Sequence, residues 1–135
     1  MEGKMDKIAN FGDGQKLGIS ASALTPFLYR EKHNRDLAVD MRSIKKAVDA
    51  AQKKKAKTED IQEAQLSALD IKIILYCAHT MHFEYCRKHK EQLPPDDPFE
   101  WLEQFDNVFT IYEIAPELFE LWNSSSKTLS KPKKK

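Results

Sequence analysis

At 135 residues, 41% hydrophobic and 32% charged, the chain has the size and composition of a single globular domain with one modest core. It has no apolar run long enough to span a bilayer, and its start, MEGKMDKIANFGDG, lacks the apolar stretch of a secretory signal, so a membrane or exported protein is not expected. The net charge of +1 hides a strong segregation: Arg42 to Lys57 carries seven basic residues against one acid, whereas Glu91 to Glu120 carries nine acids and no lysine or arginine.

The first predicted element is a β-hairpin. Gly12-Asp13-Gly14 is a turn signal between two short segments that carry Ile8, Phe11, Leu17 and Ile19. The expected pairing is Lys7–Phe11 with Gln15–Ser20. The glycines do not form a phosphate loop, because neither the strand–loop–helix context nor a following Gly-Lys-Ser/Thr is present.

Thr25-Pro26 predicts a helix start, with Thr25 as N-cap and Pro26 at the first helical position, where its missing N–H costs nothing. Asn34 suits a left-handed helix end. Asp36 caps the next predicted helix, in which Leu37, Met41, Ile44, Val48 and Ala51 form one apolar stripe. A third and longest helix is expected from Thr58, with Glu59 and Asp60 in its first turn, to about Lys90. It is apolar on more than one face between Leu66 and Tyr85, which predicts a central position in a bundle. Pro94-Pro95 then breaks the chain. Asp97 caps a short helix with Pro98 at its first position and Glu100 completing a capping box. The stretch IYEIAPELFELWN gives a final helix, interrupted or restarted at Pro116. The lysine-rich end, SSSKTLSKPKKK, has almost no apolar content and is expected to be a disordered basic tail over residues 124–135. The predicted fold is therefore mainly α: about five helices and a short N-terminal hairpin in one domain over residues 1–123.

Chemistry is sparse in this sequence. His79, His82, Cys86 and His89 share one helical face, but a row of that length spans about 15 Å and does not converge on one metal ion. Cys77 and Cys86 stand more than a turn apart on the same helix, so no disulfide joins them and reduced thiols of the cytoplasm are expected. No nucleophile, zinc-hydrolase or calcium-loop motif is present, so neither catalysis nor a cofactor or metal is expected. The basic segment from Arg42 to Lys57 has no interleaved aromatics and matches no DNA-binding motif, so nucleic acid is not the expected partner.

The stretches FGDGQKLGISASALTPFLYRE and DPFEWLEQFD, followed by IYEIAPELFELW, carry a resemblance that covers Lys7 to Trp122. In order and wording the chain resembles the tail assembly chaperones of long non-contractile-tailed phages and prophages of Gram-positive bacteria. The resemblance implies a non-enzymatic helical protein that binds and solubilises the tape measure protein and helps recruit tail tube subunits. It also implies self-association, action in the host cytoplasm and absence from the mature virion. Genes of this kind often end in a slippery site for translational frameshifting, and the consecutive lysines of PKKK are where such an A-rich run would lie. From the helix faces themselves, the expected partner surface comprises Phe27, Tyr29, Arg30, Trp101, Phe105, Tyr112, Leu118, Phe119 and Trp122. Self-association is expected to bring Arg42, Lys45, Lys46 and Lys53 of one copy against Glu113, Glu117 and Glu120 of the next. The alternative is a small nucleic-acid-associated or regulatory phage protein that uses the basic Arg42–Lys57 helix.

Overall fold

A computed structural model describes residues 6–11, 14–53, 67–106 and 110–130. Two antiparallel strands, β1 (Asp6–Asn10) and β2 (Lys16–Ser20), precede helices α1 (Thr25–His33), α2 (Leu37–Lys53), α3 (Ala68–His89), α4 (Pro98–Leu102) and α5 (Thr110–Ser130). The mainly helical architecture with an N-terminal hairpin is the one the sequence predicts.

The hairpin forms within one residue of its expected limits. Ile8 lies opposite Gly18 and Ala9 opposite Leu17. Phe11 N–H donates to the Gln15 carbonyl at 2.9 Å. Antiparallel alternation from that bond turns the backbone polar groups of Asn10 and Gly18 away from the partner strand. Gly14 adopts φ +75, a conformation that glycine reaches without penalty. Gly12 and Asp13, the rest of the expected turn, lie outside the described residues.

The start of α1 differs in detail from the expectation. Pro26 does occupy the first turn, but Leu24 is the capping position and makes no side-chain cap. The Thr25 hydroxyl instead accepts from Ser22 N–H at 2.8 Å and donates to the buried carboxylate of Glu84 on α3. The Ser22 hydroxyl donates to the other oxygen of Glu84. A buried carboxylate without such donors would be costly, and here two hydroxyls, one from the β2–α1 connection and one from the first residue of α1, satisfy it. At its far end α1 closes on Asn34 in the left-handed region, as predicted.

α2 follows at once, with the Asp36 side chain accepting from Val39 N–H. Leu37, Met41 and Ile44 are buried as the stripe requires; the side chains of Val48 and Ala51 lie outside the described ones. A single helix from Thr58 to Lys90 is not what forms. Ser67 is extended and caps a helix that starts at Ala68, with a full capping box to Asp70. Thr58, the expected cap, lies outside the described residues.

α3 is the centre of the molecule. It touches β2, α1, α2, α4 and α5, and it buries residues on every side, from Ile73, Ile74 and Leu75 to Met81 and Cys86. α5 packs against α3, α2 and β1, and runs through Pro116 without breaking. The helix also continues to Ser130, so residues 124–130, expected in the tail, are helical; residues 131–135, with all of PKKK, lie outside the described residues. Among the described residues no helix is long and apolar enough to cross a membrane.

Candidate docking surface

The four-residue row on α3 proves to be a set of clamps. His79 Nε2 lies 2.6 Å from the Pro95 carbonyl and holds the chain that leads into α4. His82 Nδ1 lies 2.8 Å from the Gly18 carbonyl and holds β2. His89 Nε2 reaches Asp6 on β1 at 2.9 Å, beside Lys88 at the same carboxylate. Cys86 Sγ stands 3.5 Å from His82 Nε2. Burial first, and then the charge of Glu91, raises the Cys86 thiol, while burial lowers His82, so this pair rests as neutral thiol and neutral imidazole. Cys77 is pushed up to about 12 by burial. Among the described residues no group of three or more metal-ligating side chains converges.

Trp101 is the nexus of the aromatic residues. It stacks on Phe11 at 5.4 Å and on His82 at 5.5 Å, and meets His79 and Phe105 edge-on. Phe105 in turn meets Phe11 edge-on at 4.5 Å. The short α4, with its N-terminus capped by Asp97, is thereby a peg driven between the hairpin and α3.

This corrects part of the expected partner surface. Trp101, Tyr29 and Leu118 are buried core residues, part of the close-packed interior rather than of any surface. Tyr29 donates to Asp40 at 2.6 Å, and Arg35 grips the same carboxylate through Nε at 2.7 Å and a second nitrogen at 3.0 Å. Burial pushes Asp40 up, but the bonds from Arg35 and Tyr29 together outweigh it and hold the carboxyl below its ordinary range. Phe105 is half-buried against the core, and Tyr112 is likewise half-buried on α5. Phe27 and Arg30 are exposed on α1.

Two carboxylates of the expected acidic half of the self-association surface, Glu117 and Glu120, also make contacts within their own chain. Lys7 of β1 binds Glu117 at 3.1 Å and Glu120 at 2.9 Å, and Glu117 lies 3.4 Å from Asn10 N–H. These two carboxylates hold the hairpin of their own chain, because α5 packs directly along β1. Glu113 sits half-buried in the first turn of the same helix.

What remains is a groove of about 260 Å³ where α2 and α5 run side by side. Ala38, Met41, Arg42 and Lys45 approach it from α2 at helical spacing, and Phe119, Trp122 and Asn123 approach it from α5. Its floor is apolar, with Met41 fully buried and Phe119 and Trp122 packed partly against the core. The rim is cationic. Arg42 and Lys46 are exposed, while Lys45 lies 5.4 Å from the centre of the Phe119 ring and binds Asp49 at 2.8 Å. Lys53 ends α2, with its side chain outside the described ones. The groove thus joins residues that sequence reasoning had divided between two surfaces: two of the aromatics and two of the cations. Their spacings along α2 and α5 are legible in the sequence; the adjacency of the two helices is not.

No known protein family, curated protein or solved structure matches the chain.

Proposed function

We propose that this chain is a non-enzymatic tail assembly chaperone, which binds and solubilises a tape measure protein and helps recruit tail tube subunits. The reading starts from the sequence resemblance over Lys7 to Trp122. The observation that supports it best is the groove between α2 and α5. An apolar floor of Met41, Phe119 and Trp122 under a charged rim suits the apolar face of an amphipathic helix, the kind of segment a long helical protein exposes before it is packed. Several copies would line such a client as a homo-oligomer in the host cytoplasm and leave before the virion is complete.

The test is coexpression with a tape measure protein from the same genome. The expected result is a soluble complex that copurifies, and its loss with Phe119→Ser/Trp122→Ser while the variant still melts cooperatively. A tape measure protein that stays insoluble in the presence of the folded wild-type chain would overturn the reading.

A further inference from the structure

We infer that the α2–α5 groove selects helices whose apolar anchor is flanked by carboxylates, a partner chemistry that rests on the proposed client-binding role. Arg42 and Lys45 lie three residues apart on α2 and both border the groove, so their charges flank one strip of its edge. No carboxylate lines the groove itself: of the acids close to its lining residues in sequence, Asp40 is bound to Tyr29 and Arg35, Asp49 to Lys45 and Glu120 to Lys7. The charged side chains that line the groove are therefore both cationic, while the floor is apolar. A segment with a leucine or aromatic anchor and two acids about one turn apart satisfies both at once. A lysine-flanked segment of equal hydrophobicity would bring like charges together at the rim, which disfavours it. The Lys45–Asp49 ion pair gives the selection a local device, since an incoming carboxylate exchanges with Asp49 for the same ammonium group. Both partners of that pair are about half exposed, so the exchange costs little.

The experiment uses the full chain and two synthetic helical peptides with the same leucine anchors, one flanked by glutamates and one by lysines. Tryptophan fluorescence and calorimetry should show the glutamate peptide binding about tenfold more tightly at low salt, with the difference shrinking as salt rises. Arg42→Glu/Lys45→Glu should reverse the preference. Equal binding of both peptides, or an unchanged preference in the charge-reversed protein, overturns the inference while leaving the client-binding role standing. If neither peptide binds and the tape measure protein also stays insoluble, both fall. A third arm measures sedimentation of the free chain. Leu93 and Phe99 are exposed beside Asp96, Asp97 and Glu100, and a concentration-dependent dimer abolished equally by Phe99→Ser and by Arg42→Glu/Lys45→Glu would make a second copy the occupant and overturn the assignment to a client helix.

Discussion

The ring of Tyr85 lies directly over Gly18, so that a Cβ added at Gly18 would sit 2.3 Å from Tyr85 Cε1. Strand β2 can rest on α3 only because position 18 has no side chain. The same residue's carbonyl is held by His82, one turn earlier on the helix.

Gly18→Ala should therefore destabilise the fold by about 1–3 kcal/mol through overpacking. The cost should largely vanish in a Tyr85→Ala background, where the methyl group enters space the ring has left. Urea denaturation of the four proteins measures this; equal costs of Gly18→Ala in both backgrounds would show that the ring is not what excludes the methyl.

Stability should fall on mild acidification, before the carboxylates titrate. His33 is lowered to about 4 by burial and by the nearby charges of His79 and Lys32. Burial likewise lowers His79 and His82. The folded state keeps these rings neutral while the unfolded chain protonates them near 6.5, so the unfolded state binds more protons as pH drops. Their contribution is complete above that value and is lost as pH falls below it, in the case of His33 towards about 4 and at up to about 1.4 kcal/mol per pH unit. Asp40 and Asp6 have the opposite chemistry but the same sign of pH dependence. Their folded pKa values are lowered despite burial, so their contribution holds above 3.8 and is lost below it. A urea midpoint that stays flat between pH 7 and pH 5 would contradict the histidine assignment, and His33→Gln should shallow the slope.

Tyr29, Arg35 and Asp40 should behave as one unit. Tyr29→Phe removes one donor and should cost about 1–2 kcal/mol. Asp40→Ala strands the buried Tyr29 hydroxyl and the Arg35 guanidinium together, and should cost about 3 kcal/mol. The double variant should cost clearly less than the sum. Additivity within about 0.5 kcal/mol would mean that the three groups are not coupled.

Local chemistry was the legible part of this fold. The turn signal at Gly12–Gly14 placed the hairpin to within one residue, and Asn34, Asp36 and Asp97 marked helix ends because caps are set by neighbouring backbone. The start of α3 was misread although its signal, Ser67-Ala68-Leu69-Asp70, is a capping box in plain view; the acids after Thr58 offered an equally good local start, and apolar residues continued on both sides of Ser67. The role of Thr25 was missed because its partner, Glu84, lies 59 residues away. Which aromatics face the core was not legible either. Leu118 and Phe119 are adjacent, yet one is buried and the other borders a groove, and only the packing of α5 against α2 and α3 decides between them.

The capping of the hairpin has a consequence for how this protein meets others. A two-stranded sheet has two open edges, each a template on which a foreign strand can grow. Here the outward Gly18 carbonyl of β2 is taken by His82, and the outward Asn10 N–H of β1 faces Glu117. Each edge is interrupted by a side chain from the helix beside it, so strand-by-strand growth, the common route to fibrils, is obstructed on both flanks. The small sheet is thereby kept from extending onto a foreign strand at either side.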